Sequence, residues 1–168
     1  STPLIRAVKN KYPAARILMM ASPAGKDILN GNPYIDELLF YTRGDNLLPI
    51  VKKVWRSDAA LIVDYHYRSS LIAWLARIPQ RIGRGSKKNR LLTRQLPAGA
   101  DYQTYEAEQT MALAEAIGVK ANDTSLVLPA CSADEEKRVK RMLGTAGLNV
   151  EDEQFVTIAP YSLSPLKD

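Results

Sequence analysis

The chain has 168 residues, of which 46% are apolar and 24% charged, and its net charge is +5. This is the composition of a globular protein of one domain, or of one domain and part of another, and no apolar run approaches the roughly 18 residues that a membrane-spanning helix needs. With one cysteine and one histidine, an internal disulfide is excluded, a reducing compartment is expected, and a His/Cys metal site or a Cys–His nucleophile pair is disfavoured.

The first part of the chain predicts an alternation of helices and strands. Thr2-Pro3 suits the start of a helix, and Tyr12-Pro13 suits its end. Short apolar runs bounded by turn residues predict strands, and apolar residues at helical spacing predict helices. In chain order these are a strand at 16–20, a helix at 23–29, a strand at 37–41, a helix at 47–55 and a strand at 59–63.

The next helix is predicted from four apolar residues at positions i, i+3, i+4 and i+7, namely Leu71, Trp74, Leu75 and Ile78. This spacing places Trp74 and Leu75 on the face of the helix that is buried. The segment that follows is predicted as a short strand at 81–83 and a basic loop at 86–95.

The remaining elements are predicted from helix-capping signals. A helix at 102–117 is followed by Gly118, which suits a C-terminal cap. Ser132 and Glu135 form a capping box, and the helix that they begin is expected to bury Val139 and Met142. A last strand is predicted at 155–159.

This alternation predicts an α/β fold, with a Rossmann-like parallel sheet and helices on both faces. Residues 122–130 are the predicted linker, so that residues 1–128 form one domain and residues 129–168 form a linker and the start of a second. Because the chain opens on a helix and closes on a strand and a loop, we expect it to be part of a longer two-domain enzyme.

The positive charge is concentrated in one segment. Residues 65–100 carry eight basic side chains and no carboxylate, whereas the rest of the chain is slightly acidic. A block of one sign predicts a surface that binds an anion. The eight residues are Arg68, Arg77, Arg81, Arg84, Lys87, Lys88, Arg90 and Arg94.

Part of this basic segment follows a predicted strand, which is where open parallel sheets bind ligands. Arg68 and Ser69 stand at the start of a predicted helix, whose free N–H groups and dipole attract anions. They therefore predict a phosphate or carboxylate site, with the cations of residues 84–94 beside it. Helix capping by Ser69 and a solvated basic loop are alternative explanations. A second candidate is the loop 160–167, where Ser162 and Lys167 could hold a diphosphate.

Four segments, in this order and spacing, carry a resemblance to a known family. They are Thr2–Val8 with Tyr12-Pro13, the turn Gly31–Glu37, the block from Arg68-Ser-Ser-Leu71 to Ile78-Pro-Gln-Arg-Ile-Gly83, and Ile158-Ala-Pro-Tyr-Ser162 with Lys167. Together they resemble the family 9 glycosyltransferases, the ADP-heptose:lipopolysaccharide heptosyltransferases.

The resemblance implies a GT-B enzyme with two Rossmann-like domains, of which this chain holds the acceptor domain and the start of the donor domain. It implies inverting, metal-independent transfer of a heptose or related sugar from a nucleotide-sugar donor to the phosphorylated inner core of lipopolysaccharide. No cofactor is expected besides the ADP-sugar co-substrate. It also implies a cytoplasmic protein at the inner membrane face, with peripheral membrane contact and no nucleic-acid partner.

The same resemblance assigns roles to individual residues. Ser162 and Lys167 fall on the donor side. The family's proposed base, the Asp of a Gly-Asp motif, would fall ahead of Ser1, so that no catalytic base is assigned and the chain alone is expected to be inactive. The acceptor side is assigned to Arg68, Ser69, Arg84, Lys87, Lys88, Arg90 and Arg94.

Two other classes of function remain open. The basic segment could belong to a non-catalytic module that binds nucleic acid or an anionic surface, although no RRM, KH or zinc signature is present. A peripheral membrane adaptor is disfavoured, because Trp74 and Leu75 are predicted to face the core rather than lipid. Within the resembling family, a different sugar donor or glycan acceptor fits nearly as well.

Overall fold

A computed structural model of the chain describes residues 2–85, 88–97, 106–120 and 123–148. The predicted strand at 155–159 and the loop that follows it lie outside these residues. The chain separates into two compact units, residues 1–129 and 130–168. The helices and strands are α1 Thr2–Lys11, β1 Leu18–Ala21, α2 Lys26–Leu29, β2 Glu37–Phe40, α3 Leu47–Lys53, β3 Ala59–Ile62, α4 Tyr67–Leu75, β4 Gln80–Gly85, β5 Arg94–Pro97, α5 Glu106–Glu115 and α6 Ala133–Thr145.

The described strands pair in parallel throughout. β1 pairs with β2, with Leu18 opposite Glu37, and a second sheet has the order β3-β4-β5. In that sheet Ala59 lies opposite Gln80, and Ile82 lies opposite Arg94. The chain crosses from β1 to β2 through α2 and from β3 to β4 through α4, and this topology confirms the predicted α/β class.

Helices cover both faces of the β3-β4-β5 sheet, because alternate strand residues point in opposite directions. Ile62 packs against residues of α3 and α4 in one apolar cluster, with Ile72 at its centre. Leu61 and Val63 pack on the other side, against a cluster that includes Leu4 of α1 and Leu113 of α5. Each face of this sheet is therefore buried beneath its own pair of helices.

The register of α4 differs from the predicted one. The helix buries Ile72, Ala73 and Ala76, whereas Trp74 is 50% exposed and Leu75 is 39% exposed. The prediction that Trp74 and Leu75 face the core is therefore wrong. The physical reason is that the small side chains of Ala73 and Ala76 allow α4 to approach the sheet closely, and both sets of residues fit a helical spacing.

Two further elements show what local signals do and do not reveal. Ser132 and Glu135 form the predicted capping box, in which Glu135 N donates to Ser132 Oγ over 3.2 Å. Gly118 has the left-handed φ of 78° expected of a C-terminal cap. On α6, however, Val139 and Met142 are 51% and 61% exposed rather than buried. The last two residues of the predicted basic loop 86–95 are the first two of β5.

The carboxylate of Asp36 attaches the Gly31–Glu37 turn to the preceding elements. The backbone N–H of Ile17 donates to this carboxylate over 2.7 Å, and the Lys9 ammonium donates over 2.8 Å. Asp36 therefore ties α1 and the entry to β1 together just before β2. The hydrogen bond from Ile17, followed by that from Lys9, lowers the pKa of Asp36 below its ordinary value of 3.8.

We expect Asp36→Asn to destabilise the protein at neutral pH and to lose this effect in acid. A carboxyl group whose pKa is lowered by folding contributes stability above its unfolded-state pKa, and this stability is lost as the pH falls through the folded-state pKa. The difference in Tm between the wild type and the variant should therefore shrink below about pH 4. Thermal unfolding followed by circular dichroism from pH 7 to pH 3 measures it.

The matched control is Asp58→Asn, which makes the same charge change at an exposed position. Within the described residues Asp58 has no hydrogen bond or ion pair, so its substitution should leave Tm nearly unchanged at every pH. A constant difference between wild type and Asp36→Asn across the pH range would contradict the role given to the carboxylate.

Candidate functional site

The loop after β2 and the start of α4 are joined at the carboxyl ends of the strands. The guanidinium of Arg68 donates to the carbonyl oxygen of Arg43 over 2.8 Å and to that of Asp45 over 2.6 Å. The Tyr41 hydroxyl lies 3.4 Å from Ser69 Oγ. Arg68 thus holds the β2 loop in place, and its buried Nε makes no hydrogen bond to any residue that the structure describes. The structure places Arg68 and Ser69 at the predicted edge of the sheet.

A carboxylate that sequence reasoning did not assign to the site also lies here. Asp64 follows β3, and its two oxygens accept hydrogen bonds from His66 N over 3.0 Å and from Ser69 Oγ over 2.7 Å. His66 is exposed at the N-cap of α4, and its side chain does not cap the helix. The signal for Asp64 was present in the sequence, since a polar residue directly after a buried strand marks the ligand-binding edge.

The basic loop after β4 is anchored to the same edge through Asn89. Asn89 Nδ2 donates to Ser70 Oγ over 2.9 Å, and Asn89 N donates to Gln95 Oε1 over 2.8 Å. Lys88 and Arg90 flank Asn89 and are exposed. In the part of the chain that the structure describes, neither side chain makes a hydrogen bond or an ion pair. They are open cations beside α4, whereas Lys87 lies outside the described residues.

Arg84 is buried, in contrast to the flexible cation that the sequence predicts. Its side chain is 2% exposed and pairs with Glu106 Oε1 at 2.7 Å, where the Glu106 side chain is 66% exposed. A second nitrogen donates to Gln109 Oε1 over 2.9 Å, and the guanidinium lies 5.3 Å from the centre of the Tyr65 ring. Arg84 therefore joins β4 to α5 through both of its terminal nitrogens, while its buried Nε has no hydrogen-bond partner among the described residues.

Arg94 makes no described contact with the other residues predicted for the acceptor site. It begins the outer strand β5, level with Ile82 of β4, and its guanidinium donates to Ala116 O over 2.7 Å. This carbonyl lies just beyond α5, so the charge of Arg94 interacts with a helix C-terminus. Ser162 and Lys167, the predicted donor residues, lie outside the described residues.

Two kinds of feature are absent from the described ranges. No three His, Cys, Asp or Glu side chains there are grouped so that they could hold a metal ion. No helix there is both long and apolar enough to cross a bilayer. The site of Arg68, Ser69, Lys88 and Arg90 therefore consists of cations, hydroxyls and the Asp64 carboxylate.

Two solved glycosyltransferases are similar in structure to this chain. The glycosyl transferase family 9 protein from Veillonella parvula matches with a TM-score of 0.71 and 20% identity over 90% of this chain. The E. coli ADP-heptose LPS heptosyltransferase II matches with a TM-score of 0.62 and 21% identity over 84% of this chain.

This likeness defines the fold of the chain. The chain spans less than half of each structure that it matches, 46% and 45% of their lengths. No protein-family model and no curated protein matches the sequence. At this identity the likeness shows a shared fold, and it confirms the predicted class, an α/β half of a GT-B architecture.

Proposed function

We propose that the protein is a family 9 glycosyltransferase that transfers a heptose or a related sugar to the phosphorylated inner core of lipopolysaccharide. The observation that supports the proposal is the hydrogen bond from Asn89, which stands between the exposed cations Lys88 and Arg90, to Ser70 Oγ in the helix that begins near Arg68 and Ser69. The chain that contains this sheet shares its fold with slightly less than half of each of two solved glycosyltransferases. In this proposal the chain supplies the acceptor side of the active site.

The chemistry of the acceptor side fits a phosphorylated glycan. Arg90 offers a planar fork of N–H donors that matches phosphate oxygens, and Lys88 offers a mobile point charge. Both terminal nitrogens of Arg68 donate to backbone carbonyls, so Arg68 acts by holding the β2 loop and by adding positive potential. Arg84 acts in the same indirect way, because its guanidinium is committed to Glu106 and Gln109.

The transfer step is proposed to be direct and inverting. The acceptor hydroxyl oxygen forms a bond to the anomeric carbon while the bond to the ADP oxygen breaks, and the hydroxyl proton passes to a base that is not assigned to a residue of this chain. Lys167, with Ser162 beside it, is proposed to balance the charge that develops on the leaving diphosphate. The reaction as proposed needs no metal and no cofactor, and it takes place at the cytoplasmic face of the inner membrane.

The acceptor site is tested with Arg90→Gln in the protein that carries this chain. The KM for a phosphorylated inner-core acceptor should rise about tenfold, because a charged hydrogen bond to phosphate is lost, and the KM for ADP-heptose should not change. Arg94→Gln removes a charge from the same basic segment, but one whose guanidinium is held by Ala116 O at the end of α5, so it should affect the acceptor KM much less. Initial rates at one fixed salt concentration measure both constants.

The donor side is tested in the same assay with Lys167→Ala, which should raise the KM for the donor and spare that for the acceptor. Equal effects of Arg90→Gln and Lys167→Ala on both substrates would contradict this division. Salt-dependent binding of RNA by the protein, with no affinity for the glycan, would instead support the nucleic-acid-binding alternative.

A further inference from the structure

A cluster of exposed aromatic side chains lies at the amino ends of β3 and β4, the edge of the sheet opposite the candidate site. Trp55 follows α3 and is 48% exposed, while Trp74 and Leu75 end α4 and are 50% and 39% exposed. Together with Arg77 and Pro79 they line an open groove of about 550 Å³. We call these five residues the tryptophan patch.

The tryptophan patch is not explained by the packing of the described residues. Large apolar side chains that are exposed next to one another mark a surface that binds a partner. The core beneath is closed by Ile72, Ala73 and Ile78, which are almost fully buried, so the indole rings are not needed to fill it. The candidate site does not use these residues either.

The surroundings of the tryptophan patch are basic. The Arg77 guanidinium lies 5.6 Å from the centre of the Trp55 ring. Arg56 and Arg77 both adopt left-handed backbone conformations, with φ of 54° and 57°, at helix ends where glycine is usual. Lys52, one turn before Trp55, is also exposed, and Asp58 is the neighbouring acid. The net charge of these residues is positive.

We propose that the tryptophan patch binds the surface of an anionic bilayer. Tryptophan rings favour the boundary between lipid headgroups and acyl chains, and arginines beside them attract anionic lipids. Arg77 and Arg56 are placed to meet lipid phosphates while Trp55, Trp74 and Leu75 enter the headgroup layer. This inference rests on the membrane location given in the proposed function and adds the surface that makes the contact. Binding to a bilayer does not itself depend on sugar transfer.

The chain is suited to a direct test, because Trp55 and Trp74 are its only two tryptophans. Their fluorescence therefore reports on this patch alone. With vesicles of phosphatidylglycerol and phosphatidylcholine we expect a blue shift of emission, quenching by brominated acyl chains, and co-sedimentation that weakens as salt screens the charges. Vesicles of pure phosphatidylcholine should give a much weaker effect. Trp55→Phe and Trp74→Phe each leave one reporter, and both reporters should respond.

Variants separate the aromatic and the charged contributions. Trp55→Ala/Trp74→Ala should lower partitioning into anionic vesicles at least about tenfold, and Arg77→Gln should lower it about fivefold. Leu48→Ala is a matched control, since Leu48 is 66% exposed at the other end of α3. Arg138→Gln is a control for charge, since Arg138 is exposed on α6. Neither control should change vesicle binding.

Equal binding to neutral and anionic vesicles would overturn the proposal, as would unchanged tryptophan emission or an equal loss in the control variants. Capture of a protein through the patch without vesicle binding would overturn it too. If the double alanine variant does not fold, Arg77→Gln and the two phenylalanine variants still show whether the tryptophan patch binds anionic vesicles. Because the vesicles contain no glycan, failure here is distinct from failure of the transfer assay.

Discussion

Ile72→Ala is expected to lower the free energy of unfolding by about 2–5 kcal/mol. Ile72 is 2% exposed and lies in the cluster between α3, α4 and the sheet, so that its truncation removes apolar contacts and leaves a cavity. Leu75→Ala deletes the same number of carbon atoms one turn further along α4. Leu75 is 39% exposed on the open groove, and its truncation should cost about 1 kcal/mol. Urea unfolding of both variants measures the difference.

The pair of variants tests the register of α4 as well as the burial of one residue. The spacing of Leu71, Trp74 and Leu75 in the sequence predicts that Leu75 is a core residue, whereas the structure assigns that role to Ile72. A larger loss of stability in Leu75→Ala than in Ile72→Ala would show that the sequence pattern, not the structure, has the correct face. The m-value should be unchanged in both variants, which shows that the same surface unfolds.

Glu106→Ala is expected to be more destabilising than Arg84→Met, although Glu106 is much the more exposed of the two. Removing Glu106 leaves the buried guanidinium of Arg84 without its counter-charge. The loss of one partner of a buried ion pair typically costs 3–5 kcal/mol, and access of water at the Glu106 end reduces the expected value to about 2–3 kcal/mol. Arg84→Met removes the buried charge itself and retains apolar volume, so it should cost about 1 kcal/mol or less.

The same urea experiment measures this second pair, and Glu108→Ala on the same helix serves as the control, since Glu108 is exposed. The control reports the effect of removing a carboxylate from α5 without uncovering a buried arginine. Greater destabilisation by Arg84→Met than by Glu106→Ala would mean that stacking on Tyr65, rather than charge compensation, is the main role of the guanidinium.

The elements that the sequence predicts well are those with local signals. The strand at 59–62 is a short apolar run, and the caps at Gly118 and Ser132 rest on backbone conformation and on hydrogen bonds within one turn. The register of α4 could not be obtained in this way, because two sets of apolar residues fit the same helix. Only contact with the sheet decides between them. β5 was not predicted, because the strand has only four residues and two of them are polar.

The candidate site shows the same division. Parallel strands have their carboxyl ends at one edge of the sheet. The predicted strands and helices were therefore sufficient to place Arg68 and Ser69 at that edge. The burial of Arg84 depends on Glu106, which is 22 residues away in sequence, and the departure of Arg94 depends on β5. The local spacing of charged residues in the sequence does not predict these long-range contacts.

Because the paired strands are parallel, the first unit has two chemically different ends. The carboxyl ends of the strands carry the candidate site, and the amino ends of β3 and β4 carry the tryptophan patch. β4 has six residues, which at about 3.3 Å per residue separates the two ends by roughly 20 Å. This exceeds the screening length of about 8 Å at physiological ionic strength. Substitutions at one end should therefore change the electric potential at the other only weakly. Under the two proposals made above, an engineer could exchange the indole-bearing helix termini for those of another protein to change membrane binding, with little effect on acceptor binding.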